Sequence, residues 1–292
     1  MELSVVFDGT PRTSDLGSYA VMSEVANQYE MGRQAVPAAA RTSTGFVIAW
    51  ADESGTLTPP GESRLRQRSF DGVGAPTTDE TALSEDGTSA REVFLTSDGD
   101  RVLAVWTQDS LVPFSRPSIL ARRLGGPGPD AVPFIVSETD GAQPAAAFLD
   151  SGDFAVAWVG RTADTRGDIR SRLVHATGDP LAGTTDVALT MTTMMTPIAE
   201  IAPSVLPLTG AEYLVTYEDG GPRRGVSLIQ VGSTPLAPEL SMALVPLLTS
   251  GLQGDVSLLR TPRGYWFAWS ESGALGTPTA LRSFVAYLLP PS

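Results

Sequence analysis

A chain of 292 residues is long enough for one large β domain or two ordinary ones, and its 42% hydrophobic content fits a packed core. It has no Cys, no Lys and one His, His175, which excludes disulfides, thiolate or Schiff-base chemistry, a phosphate-loop lysine and a multi-histidine metal site. A net charge of −13 argues against a general nucleic-acid binder and against adhesion to an anionic membrane. No stretch approaches the roughly 18 apolar residues that span a bilayer.

Residues 1–25 lack a charged start, an apolar run and a small-residue cleavage site, so no signal peptide is expected in this sequence. Residues 3–7, followed by Asp8 and Gly9, read as a strand and its turn, and residues 18–22 as a short second strand. From residue 34 a four-strand unit begins. Its first copy, about 34–85, has a small, mostly apolar strand at 35–40 and an apolar strand at 46–50 ending in Trp50. An alternating strand follows at 64–70, then a Gly- and Pro-rich turn and a short strand at 81–83. The second copy, about 86–139, has strands at 91–95, 102–106, 119–124 and 133–136. The third, about 140–190, has them at 143–148, 154–158, 169–174 and 186–189. The fourth, about 200–249, has them at 203–208, 213–217, 226–231 and 240–245. The fifth, about 252–290, has three: 255–259, 265–269 and 281–287.

The second strand of each unit ends in an aromatic residue: Trp50, Trp106, Trp158, Tyr217 and Trp269, spaced 52 to 59 residues apart. A fixed period in this range is a repeat signature. The second strands are nearly continuous apolar runs, as in strands covered on both faces. The third strands alternate, so one of their faces is wetter. Four antiparallel strands repeated at this spacing predict an all-β fold, a β-propeller of five four-stranded blades in a single domain, 1–292. The fifth unit lacks its fourth strand, and residues 1–25 are expected to supply it and close the ring. The alternative is six blades, the first incomplete.

The best copy of the unit joins Pro144-Ala-Ala-Ala147, Gly152-Asp-Phe-Ala-Val-Ala-Trp158, Ile169-Arg-Ser-Arg-Leu173 and Gly178-Asp-Pro-Leu181. It resembles repeats of secreted or surface-anchored bacterial β-propeller proteins, and the resemblance extends from about residue 34 onward. It implies the architecture, and an extracellular or cell-envelope location more loosely. Unit four departs from it, with Tyr217 in place of Trp.

The loops after the second strands are the long and unequal ones, and binding concentrates on such loops. Their binding candidates are Asp52, Glu53, Asp109, Phe114, Arg116, Arg161, Asp164, Arg166, Glu218, Asp219, Arg223 and Glu271. The function expected is non-enzymatic recognition or scaffolding, with a protein or glycan as partner and no nucleic acid or membrane insertion. The alternative is a carbohydrate hydrolase. That chemistry needs paired carboxylates, and only Glu92 and Asp255 place acids at the start of the predicted inner strands, with a loop acid such as Asp52 or Glu218 as a third. No cofactor is expected. Calcium is a minor alternative at Asp98–Asp100 or Asp150–Asp153, where Asp and Gly are ordinary turn residues. The aromatic strand ends read as blade-to-blade packing.

Overall fold

Apolar runs separated by Gly-containing turns fold here as successive antiparallel hairpins. The computed structural model describes residues 26, 28, 33–53, 62–85, 89–109, 116–125, 132–138, 140–160, 167–190, 200–219, 225–231, 241–242, 252–261, 264–272 and 282–288. The first sheet holds β1 (Gln34–Arg41), β2 (Gly45–Asp52), β3 (Arg64–Asp71) and β4 (Thr81–Ala82). The second holds β5 (Ser89–Ser97), β6 (Val102–Asp109), β7 (Ser118–Leu124) and β8 (Phe134–Ser137). The third holds β9 (Gly141–Phe148), β10 (Phe154–Gly160), β11 (Asp168–Val174) and β12 (Val187–Ala188). The fourth holds β13 (Glu200–Pro207), β14 (Tyr213–Asp219), β15 (Gly225–Val231) and β16 (Ser241–Met242). A three-stranded sheet of β17 (Leu252–Thr261), β18 (Gly264–Ser272) and β19 (Arg282–Leu288) follows.

Strand order follows chain order in every sheet, so each is a meander. The first strands of successive sheets lie side by side: β1 against β5, β5 against β9, β9 against β13 and β13 against β17. Four-stranded sheets joined through their first strands form a β-propeller arrangement. Residues 1–25, expected to complete the last sheet, lie outside the described residues.

The core lies between sheets. Trp106 packs toward the first sheet, with Ala49, Leu65 and Leu83. Trp158 packs toward the second, with Leu103, Val105 and Ile119. Tyr217 packs with residues of the third, such as Ile169 and Val159. These aromatics join each blade to the one before it. Buried Ala145, Ala146 and Ala147 on β9 keep the inner strands thin where the blades crowd together. Within the first sheet, Gly45 of β2 lies so close to β3 that a Cβ there would collide with the Phe70 carbonyl oxygen.

The two ends of the array differ. At one end are the tight turns between first and second strands, the hairpin face. Here Ser43 N donates to Gly99 O, joining blades one and two. Arg101 sits 5.1 Å from the Phe148 ring centroid, between blades two and three. Ser151 N donates to Gly210 O at 2.8 Å, between blades three and four. Arg260 of β17 forms a two-pronged ion pair with Asp150, both contacts at 2.8 Å, reaching past blade four. The opposite end, the loop face, carries the connections after the second strands and those between blades.

Candidate functional site

Every first strand breaks register near its loop-face end. The slips fall between Ala35 and Ala38, Arg91 and Phe94, Ala142 and Ala145, Ile201 and Ser204, and Gly254 and Ser257. In each, two residues of the first strand face one of the second, which is a β-bulge. The single facing residue is the terminal aromatic: Trp50, Trp106, Trp158, Tyr217 or Trp269. The repeat read in the sequence as a strand end is therefore the partner of a bulge. The second strands run two or three residues further, to Asp52, Asp109, Gly160, Asp219 and Ser272.

The first bulge residue is left-handed in four blades: Val36 (φ 51°), Glu92 (φ 56°), Gln143 (φ 52°) and Ala202 (φ 51°). Asp255 holds the corresponding position in β17. A residue with a Cβ spends roughly 1–2 kcal/mol in this region, and a β-branched one is an outlier. The strain recurs from blade to blade, so it belongs to the architecture. It turns the bulge residue toward the next blade. Glu92 Oε2 accepts from Gln143 N at 2.9 Å, and Gln143 Oε1 accepts from Ala202 N at 2.9 Å. Side chain to backbone, the bulges of blades two, three and four form one chain of hydrogen bonds.

Glu92 is further engaged. Its Oε2 also accepts from the buried Thr107 hydroxyl at 2.7 Å, and its Oε1 pairs with Arg91 at 2.6 Å. Arg91 in turn donates to Asp109 at 2.8 Å. Burial opposes the charge on Arg91, and the bond to Asp109 and the field of Glu92 outweigh it, so its pKa is raised. Glu92 thus sits inside β5 at the bulge and does not begin the strand as the sequence reading had it.

The binding candidates separate into several environments. Asp52, Asp109, Glu218, Asp219 and Glu271, expected in loops, are strand residues of β2, β6, β14 and β18, because pairing on both sides continues past the aromatic. Asp52 is only 1% exposed. It lies 3.8 Å from Arg66, which lies 3.7 Å from Glu80, a buried acid–base–acid row within blade one. Glu80 and Gln28 exchange two hydrogen bonds of 2.9 and 3.0 Å, which fastens the upstream chain to this blade. Glu218 is buried, Glu53 is exposed and pairs with Arg33 at 3.1 Å, and Arg116 is exposed. Phe114, Arg161, Asp164, Arg166 and Arg223 lie outside the described residues.

The turn acids have partners too. Asp98 caps the N–H groups of Asp100 and Arg101 at 2.8 and 2.7 Å and holds the Arg101 guanidinium. Asp153 pairs with His175 Nδ1 at 3.1 Å. Among the described residues no three His, Cys, Asp or Glu side chains group as metal ligands. A recess of about 520 Å³ opens at the first hairpin, lined by Ala39, Arg41, Thr42, Ser43 and Phe46 among others. It lies on the hairpin face and contains no candidate residue.

Sequence reasoning missed the bulge residues Val36, Gln143 and Ala202, and the link of the last two to Glu92. The signal was available: each bulge residue stands 14 or 15 positions before its aromatic, and Pro follows it at Pro37, Pro144 and Pro203.

No protein-family model matches the chain, and no curated protein matches it. Solved structures do resemble it. A protein of unknown function from Dyadobacter fermentans aligns over 91% of this chain and 79% of its own, at 11% identity and TM-score 0.59. An endo-arabinase from Bacteroides thetaiotaomicron aligns over 84% and 90%, at 10% identity and TM-score 0.46. An α-L-arabinanase from Cellvibrio cellulosa aligns over 86% and 90%, at 12% identity and TM-score 0.44. At 11% identity the likeness to the Dyadobacter fermentans protein is one of fold.

Proposed function

We propose that this chain is a recognition module that binds a protein or glycan partner at its loop face, without catalysis by Glu92. One observation carries this reading: both Glu92 oxygens are committed, to Arg91, Thr107 and Gln143. A carboxylate held by three donors joins blades and is poorly placed to move a proton on a substrate. The ring in this reading has five blades, closed by residues 1–25, in one domain outside the cytoplasm. The test is capture of partners from envelope extract and binding to a glycan array, with a variant lacking residues 110–115 beside the intact chain. Loss of capture in the variant is expected. Equal recovery from both proteins overturns the reading.

A second reading, hydrolysis of a glycosidic bond, has its own observation. Glu92 and Asp255 occupy corresponding bulges of two first strands, the residues an acid pair at the channel mouth would use. Aryl arabinofuranosides and xylosides are suitable substrates, since solved structures of similar fold carry the names arabinofuranosidase and xylosidase. Turnover that disappears in Glu92→Gln and in Asp255→Asn would replace the first reading with this one.

A further inference from the structure

We infer that the hairpin face holds a second binding site, the recess of blade one, which takes the carboxyl-terminal residue of a peptide. The site stands apart from the recognition reading, because it lies at the opposite end of the blades. The recess is about 520 Å³, within the range of small-ligand sites. Its wall is one stretch of chain, Ala39 to Phe46, joined by Gly72 from the turn after β3. Arg41, Ser43 and Thr44 in that wall are exposed. Arg41 sets the chemistry. It faces Phe46 across the first hairpin, as Arg260 faces Tyr265 across the fifth. Phe46 and Tyr265 both stand four positions before the terminal aromatic, so the two arginines hold corresponding places in the repeat. In blade five that guanidinium grips the Asp150 carboxylate with two contacts of 2.8 Å. A guanidinium at this place reaches beyond its own blade and takes a carboxylate in two-pronged fashion. Arg41 brings the same fork to the wall of a recess.

The rest of the lining selects which carboxylate. Arg41 and Phe46 are direct cross-strand partners on one sheet face, so their Cβ atoms stand about 5 Å apart. Ala39 lies on the same face, two positions along β1. The Phe46 ring is fixed by stacking on Phe70, with centroids 5.1 Å apart and planes 9° apart. A cation beside a fixed apolar surface matches a carboxylate and an apolar side chain carried on one carbon. A peptide ending in leucine or phenylalanine presents that pair. The hydroxyls of Thr42, Ser43 and Thr44 belong to the same lining and supply donors for the remaining lone pairs. A single terminal charge also suits a chain of net charge −13 better than a polyanion does. Asp71, next to Gly72, accepts from Val73 N and Ala75 N at 3.0 and 2.8 Å, so its carboxylate serves its own turn.

The test is calorimetric titration of the intact chain with a short peptide ending in alanine, leucine and phenylalanine. The peptide is used as the free acid and as the C-terminal amide, with oligogalacturonate as a carboxylate from another source. The free acid is expected to bind, and the amide to bind at least about tenfold more weakly, the worth of a charged hydrogen bond. Arg41→Gln should lose the same factor. Arg41→Lys should recover part of it, since lysine keeps the charge and loses the fork. Added salt should weaken binding of the acid and leave the amide unchanged. Melting curves check that the variants fold. Deletion of residues 110–115 should leave the affinity for the acid unchanged; a loss there would move the site to the loop face and overturn this one. Equal affinity for acid and amide, or for the intact chain and folded Arg41→Gln, overturns the site. So does a free acid that does not bind. Tighter binding of oligogalacturonate overturns the assignment to a peptide terminus. Acid and amide are compared on the intact chain, so the result stands even if Arg41→Gln does not fold. Capture of partners at the loop face is a separate measurement, and each of these failures leaves it standing.

Discussion

At the scale of single residues, the five aromatics are not equivalent. Trp106 donates its indole N–H to Gln108 Oε1 at 3.1 Å, whereas the buried Trp158 and Trp50 indoles have no hydrogen-bond partner. The difference follows from the residue two positions on: Gln108 in blade two, Gly160 in blade three, where Arg170 packs on the glycine. Replacing tryptophan by phenylalanine therefore removes a satisfied polar group in one blade and an unsatisfied one in the other. Trp106→Phe should cost about 1 kcal/mol more than Trp158→Phe in urea unfolding. Equal losses would mean that the indole bond contributes nothing. His175 provides a second test. Its hydrogen bond to Asp153 raises its pKa against the opposing effect of burial, with the Asp153 charge adding to the rise. A raised folded value means the contribution is full below the ordinary 6.5 and is lost as pH rises through the folded value. Melting temperatures of the wild type should fall relative to His175→Gln as pH rises above the ordinary 6.5. Parallel profiles would remove His175 from the pH response.

At the scale of elements, the bulged first strand explains why proline and strained residues occur inside a strand at all. A bulge residue makes no regular ladder pair, so Pro37, Pro144 and Pro203 sacrifice no hydrogen bond that a flat strand would have. The side chains ahead of those prolines then do inter-blade work. Gln143→Ala should destabilise by about 0.5–1.5 kcal/mol, because the Ala202 N–H loses its acceptor. Val36→Asn should stabilise by up to about 1 kcal/mol, since asparagine tolerates the left-handed region and valine does not. Denaturant melts of the two variants, moving in opposite directions, check the account. If both destabilise, the strain at Val36 is offset by packing. Much of this was latent in the sequence. The aromatic period located the second strands, and the Ala- and Pro-rich runs located the first. The strand lengths were misread because an aromatic at a bulge looks like an end when only hydrophobicity is followed. Asp52 and Asp109 look like loop acids until pairing on both sides is seen.

At the scale of the whole molecule, the two faces are built differently. The hairpin face is tied across blades by Ser43–Gly99, Arg101–Phe148, Ser151–Gly210 and Asp150–Arg260. The last of these skips a blade, so it ties the three-stranded sheet to the middle of the array. Its bond to Arg260, working against burial, holds Asp150 below the ordinary carboxylate range. A depressed value keeps the contribution above the unfolded 3.8 and loses it only as pH falls through the folded value. Arg260→Ala should speed amide hydrogen exchange in the β17–β18 hairpin at neutral pH while leaving β10 unchanged. Uniform protection in both strands would show that the pair carries no load.

The sequence by itself determined the class of fold and the approximate place of its strands, because hydrophobic period and turn chemistry are local properties of neighbouring residues. It also determined what chemistry is impossible, since absent cysteine and lysine cannot be supplied by folding. Only the tertiary structure decided what the acids do. Glu92 is committed by a backbone N–H of Gln143, 51 positions away, and Asp52 by burial against Arg66. Such commitments depend on which blades become neighbours, and no local pattern in the chain records that.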